Sequence, residues 1–270
     1  MQTKENLQLV VHDLFKQLVA DNILYAEIRF APFLHLEKGL TPFEVVEAVE
    51  AATAKAVKET GVEARLILCT LRHFTQEQSM ATVKLVEQFK DTYVAAFDIA
   101  GDEAGYPVTN HVAAFRYAKE NGIHITAHAG EASGPESVWE TLKHFAPSRI
   151  GHGARSIEDE KLVEHLRSNK IHLEICPACN VQTNMYGAYK DHPIDKLYRA
   201  GVSLSVNTDC QTIVDTTLNK EYKKLQNVFG WTIDDFYTCN VNALKASFIP
   251  EDLKEKLMVK LTNGYKAMSV

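Results

Sequence analysis

The stretch HITAHAGEASGP, residues 124–135, sets an imidazole, His128, three residues ahead of a carboxylate, Glu131, where a run of β-formers gives way to a Gly-Pro break. An imidazole and a carboxylate at a strand-to-loop junction suit metal binding or proton transfer better than they suit packing. Three further junctions carry polar groups: Gly101-Asp102-Glu103, Gly151-His152-Gly153 and Asn207-Thr208-Asp209. A lone histidine at a strand end is more often a packed or hydrogen-bonded residue than a ligand. Two imidazoles, an aspartate and a glutamate on separate strand ends are another matter. Converging on one mouth, they are the donor set of a divalent metal such as zinc, with groups left over for acid–base work.

Those residues meet only if their strands are neighbours. β-rich runs fall at 23–30, 62–70, 93–100, 123–128, 149–152, 171–176 and 202–208. Helix-like segments lie at 4–20, 42–60, 76–91, 110–121, 135–145, 157–169, 192–200, 217–229, 232–246 and 251–267. Pro42 and Pro135 stand at first helical turns, where a missing N–H costs nothing. Gly61, Gly122 and Gly201 follow helical runs and precede strands, as helix-terminating glycines do. Strand alternating with helix predicts an α/β fold with a parallel sheet.

The strands also alternate internally. Ile123, Ile125 and Ala127 alternate with His124, Thr126 and His128; Ile171, Leu173 and Ile175 with His172, Glu174 and Cys176; Val202, Leu204 and Val206 with Ser203, Ser205 and Asn207. Each strand therefore has one apolar and one polar face. An open parallel sheet covered by helices on both sides would read apolar on both. A (β/α)8 TIM-type barrel with an unusually polar interior fits, and the strand ends would then form its active-site mouth. Seven strands are visible where such a barrel needs eight, so the barrel is expected to be incomplete.

Composition narrows the function classes. The chain has 270 residues and a net charge of −6, with 46% hydrophobic and 24% charged residues, as in an ordinary soluble domain. The charge leaves no basic footprint for nucleic acid. No apolar run approaches the roughly 20 residues needed to span a bilayer. The N-terminus lacks a signal-peptide pattern and five cysteines do not make a disulfide framework, which points to the cytoplasm.

YAEIRFAP, FDIAGDE, TAHAGE, IGHG and SVNTD, in this order and spacing, resemble the adenosine deaminase family of the amidohydrolase superfamily. The resemblance runs from about residue 20 to the C-terminus. It implies hydrolytic deamination of adenosine and 2′-deoxyadenosine to the inosine nucleosides and ammonia, by a zinc-activated water. His128 and Asp209 match zinc ligands (Zn2+, one per site). Glu131 matches the acid that protonates purine N1. His152 matches the histidine that positions and helps deprotonate the water, and Gly101 the glycine whose backbone contacts the purine. The chemistry is coherent: zinc lowers the pKa of a bound water to about 7, and a carboxyl can deliver the proton that the ring nitrogen needs as charge develops.

Two departures accompany the resemblance. The family's first strand bears His-x-His, two further zinc ligands, and no such motif precedes residue 20. MQTKENL resembles an internal stretch, so the sequence is expected to be a single barrel domain, residues 1–270, shortened at its N-terminus, with strands 2 to 8 present and two ligands absent. The uncovered edges at 23–30 and 202–208 predict poor solubility or an oligomer that pairs them. Secondly, Cys210 stands where the family commonly has an aspartate that hydrogen-bonds purine N7. A thiol is a weaker partner there, which bears on purine selectivity and not on reaction type.

Other features are set aside. CPAC, Cys176 to Cys179, lacks a second pair for a structural zinc site and the upstream His-x-Glu of cytidine-type deaminases. His35 is expected to be structural, and His73, His111, His144, His165 and His192 to lie at the surface. His124 and His172 are expected in a hydrogen-bonded core. The alternatives to adenosine deamination are a deaminase of adenine or a modified adenosine, and a barrel that binds nucleoside without turnover because its metal site is incomplete.

Overall fold

The computed structural model describes residues 1–268. In chain order the elements are α1 (Lys4–Ala20), β1 (Tyr25–Phe30), α2 (Pro42–Thr60), β2 (Glu63–Leu71), α3 (Gln76–Gln88), β3 (Val94–Ala100), α4 (Val112–Glu120), β4 (His124–Ala129), α5 (Pro135–Phe145), β5 (Arg149–His152), α6 (Glu160–Ser168), β6 (His172–Ile175), α7 (Pro177–Gln182), α8 (Ile194–Arg199), β7 (Leu204–Val206), α9 (Gln211–Val214), α10 (Leu218–Phe229), α11 (Ile233–Ala246) and α12 (Glu251–Met268). The strands pair in parallel in sequence order, β1 through β7. Parallel neighbours joined by helices in this order are the α/β, TIM-type arrangement, here with seven strands among the described residues. No helix among those residues is long and apolar enough to cross a membrane.

The chain divides into two compact units. The first comprises Met1–Asp102 and Tyr106–Ile125, the second Glu103–Gly105 and the chain from Thr126 onward. In the first, local signals set the helix ends. Thr41 and Glu44 cap α2 reciprocally, Pro42 opens it, and Gly61 closes it at φ +73° with its N–H on the Val57 carbonyl. Thr75 and Gln78 form the same box on α3. α3 stops short of residue 91 because the Lys90 N–H turns to the Glu87 carbonyl, three residues back, at 3.1 Å and Asp91 turns left-handed. Leu66, Leu68, Phe97 and Ile99 are fully buried, and the Phe97 and Phe115 rings lie 4.6 Å apart.

In the second unit the two faces of the strands separate as the alternation requires. Ala129, Ile150, Leu173, Ile175, Leu204 and Val206 join Val138 of α5, Leu162 and Leu166 of α6, Ile194 and Leu197 of α8 and Leu225 of α10 in one apolar core. The opposite face is polar and also dry: Thr126, Arg149, His172 and Ser205 are all buried. Burial demands partners for each. Arg149 Nε lies 2.6 Å from Glu174 Oε1, and its guanidinium stacks 3.6 Å over the Phe248 ring. Thr126 Oγ1 donates to Glu174 at 3.2 Å. The His172 ring bridges Ser203 at 2.9 Å and Ser205 at 3.0 Å.

Three histidines depart from expectation. His111 is buried, held by the Arg72 carbonyl at 3.0 Å and by Ser79 Oγ. His192 is buried too, with its ring nitrogens on Asn180 and the Ile194 N–H. His124 is exposed, because parity fixes the face of a strand and not depth, and His124 stands at the entry of β4. His35 is structural as read, with Nδ1 2.7 Å from the Met1 carbonyl.

Burial, seconded by the Arg149 charge, pushes the His172 imidazole down to about 3, and burial does the same to His192. Both stay neutral in the folded chain at pH 5, while an unfolded chain protonates them below about 6.5. The unfolded state then binds more protons, so stability falls as pH drops. Denaturant unfolding should therefore lose about 2 kcal/mol per histidine between pH 8 and pH 5, and His172→Asn should show a shallower dependence.

Candidate active site

The second unit brings His128, Glu131, His152 and Asp209 together. His128 is the penultimate residue of β4 and shares the polar face with Thr126. Its neighbour across the ladder is Gly151. A Cβ at Gly151 would stand 2.6 Å from His128 Nδ1, so the missing side chain is what leaves room for the imidazole. His152 closes β5 and has the parity of Ile150, which would send it into the helix-covered core. Its φ of +58° breaks that parity. The ring stands instead 5.1 Å from that of His128, with Nε2 3.4 Å from Glu131 Oε2 and 3.9 Å from Asp209 Oδ2. Asp209 is likewise left-handed, at φ +53°. Non-glycine residues rarely adopt such backbone, which costs about 1–3 kcal/mol and concentrates at functional sites.

Glu131 is placed by a second carboxylate. Glu103, buried, accepts the backbone N–H groups of Gly130 at 2.7 Å, Glu131 at 2.9 Å and Ser133 at 2.9 Å, and the Ser137 hydroxyl at 2.5 Å. One side chain thus holds most of the turn between β4 and α5, and Gly134 turns its N–H to Glu136 instead. The sequence marks Glu103 only as part of a polar strand end; four donors converging on it could not be read there. Asp209 Oδ2 accepts the Cys179 thiol at 2.9 Å. Burial first, then Asp209, raises that thiol, and burial raises Cys176 as well, so CPAC carries protonated sulfurs unlike the low-pKa thiols of redox pairs. The motif's use is structural: Cys176 precedes α7, Pro177 opens it, and Asn180 reaches His152 Nδ1 at 3.0 Å. Cys210 is exposed, with its sulfur 3.7 Å from Asp209 Oδ1. Gly101 follows β3 in the first unit at φ +97°, a backbone position suited to glycine.

Zinc takes imidazole nitrogen and carboxylate oxygen, and a catalytic site usually supplies three protein ligands. His128 and Asp209 are donors of the right kind. Among the described residues, however, no group of three or more His, Cys, Asp or Glu side chains could hold a metal ion. The donor types fit zinc and their number falls short.

Loss of the Glu103 acceptor would orphan four donors. Buried unsatisfied groups cost about 1–3 kcal/mol each, with relaxation recovering part. Glu103→Ala should lower unfolding free energy by about 3 kcal/mol in denaturant titrations, and amide exchange should speed up at residues 130–133.

The family model described as adenosine deaminase matches residues 1–263. The chain is 39% identical over 268 residues to adenosine deaminase 1 of Streptomyces coelicolor, an alignment covering 93% of this chain and 67% of that protein. It is 39% identical over 261 residues to adenosine deaminase of Clostridium acetobutylicum, covering 97% and 78%. Among solved structures, adenine deaminase from Arthrobacter aurescens superposes with a TM-score of 0.92 at 24% identity, over 98% of this chain and 81% of that one, and so shares the fold.

Proposed function

The chain belongs to the adenosine deaminase family, and on that premise we propose that it hydrolyses adenosine and 2′-deoxyadenosine at the amine-bearing ring carbon. The oxygen of a water replaces the amino group, which leaves as ammonia. The observation that carries the reading is the meeting of Glu131, His152 and Asp209 within 4 Å of one ring nitrogen, beside His128.

Each residue then has a task. Glu131 delivers a proton to the purine ring nitrogen as the water adds, a contribution worth roughly 10²- to 10⁴-fold. Glu103 fixes the turn that carries Glu131. His152 orients the water. Gly101 offers backbone to the purine, and Cys210 contacts it where the family commonly has aspartate. His128 and Asp209 would hold zinc, which when bound acidifies a water to a pKa of about 7. The substrate is a small purine nucleoside, and the compartment is the cytoplasm, in keeping with five free thiols. We take residues 1–270 as one hydrolase barrel domain.

The short donor count favours a second reading, a barrel that binds nucleoside without turnover. Ammonia release from adenosine, measured on the purified chain with zinc added, decides between them. Turnover reduced at least about 100-fold by Glu131→Gln is the expected result. Nucleoside binding with no ammonia released would support the second reading. Adenine and AMP assayed in parallel report what Cys210 does to selectivity.

A further inference from the structure

Behind His152 runs a chain of buried hydrogen bonds whose direction can be read from its fixed end. His192 Nδ1 lies 3.1 Å from the backbone N–H of Ile194. A backbone N–H only donates, so Nδ1 is the accepting nitrogen and the ring proton sits on Nε2. His192 Nε2 then donates to Asn180 Oδ1 at 3.1 Å. That sets the Asn180 amide, which is completely buried. Its nitrogen faces the other way, 3.0 Å from His152 Nδ1 and 3.2 Å from Met185 Sδ. A thioether sulfur only accepts, so Met185 demands the same orientation independently.

His152 Nδ1 therefore receives an N–H and carries none. Its ring proton lies on Nε2, the nitrogen that faces Glu131 and Asp209. The opposite tautomer would turn the Asn180 oxygen toward His152. The amide nitrogen would then meet the His192 Nε2–H donor to donor, and the amide would lose its bond to Met185. Burial keeps His192 neutral, so the relay does not change direction through that ring near neutral pH.

We propose that the relay from the Ile194 N–H through His192 and Asn180 holds His152 as the Nε2–H tautomer, so that His152 donates a hydrogen bond in the reaction and does not accept a proton there. Asn180 and His192 are positioning residues. This narrows the part implied by family resemblance, in which the histidine also helps deprotonate the water, and leaves Glu131 as the proton-exchanging group. The catalytic half rests on the deaminase reading; the tautomer does not.

The test is NMR of the full chain labelled with ¹⁵N-histidine, in which protonated and unprotonated ring nitrogens are distinguished, with the His152 signals identified by their loss in His152→Gln. The expected pattern is Nε2 protonated and Nδ1 bare. Asn180→Asp replaces the donor by an acceptor-only carboxylate. It should move the proton to Nδ1 and lower kcat for adenosine roughly 10- to 100-fold, the scale for losing an outer orienting partner, with KM little changed. His192→Gln, whose amide still donates to Asn180, should keep the native pattern. A wild-type spectrum with Nδ1 protonated, which needs no variant to fold, overturns the proposal, as does an unchanged pattern in Asn180→Asp. The native pattern in a chain that releases no ammonia would sustain the relay and sink the deaminase reading instead.

Discussion

A polar strand face buried away from water leaves little freedom to the rest of the second unit. Every group on it needs a partner, and an unsatisfied one costs as much as a large apolar contact contributes. Glu174 between Arg149 and Thr126, and His172 between two serines, meet that demand with side chains from neighbouring strands. Such pairs form only when the register between strands is right. A slip of one residue would put Leu173 and Leu204 among the polar groups and His172 among the helices. The same bonding that keeps the interior polar thus specifies the alignment that brings the strand ends to one place.

At those ends regular geometry has to be broken. Period two alone would bury His152 beside Ile150. Left-handed backbone at His152 and Asp209, and the absence of a side chain at Gly151, redirect the chain so that four functional groups share one region. Glu103 does a related task by hydrogen bonding, gathering three turn amides, those of residues 130, 131 and 133, on one carboxylate. The strain and the buried charge are local, and the apolar core on the other face of the strands offsets them.

Much of this was legible in the sequence where a local rule governs. α2 begins and ends at the residues that proline and a left-handed glycine predict, and α5 begins where Pro135 predicts. All seven strands read from the alternation are present, with ends shifted by at most two residues. α7 and α9 are not legible, because six and four residues are too few to show a helical period. The identities of His128, Glu131, His152 and Asp209 were visible as strand-end chemistry. His192 was not. A histidine in a polar stretch looks solvated, and only folding shows that the Ile194 amide and Asn180 enclose it. Glu103 was visible as a charge but not as a clamp, since its partners lie 27 to 34 residues away.

Asp209 and Cys210 are consecutive, yet the fold holds them very differently. Asp209 is tied into a strained backbone and to Cys179, so few replacements would leave its surroundings intact. Cys210 is exposed, at the entry to a helix of only four residues. Changes at such surface positions generally alter stability by no more than about 0.5 kcal/mol. Residue 210 can therefore take other side chains at little cost to the fold, while Asp209 cannot. One peptide bond separates a position that the fold leaves open to change from one that it does not.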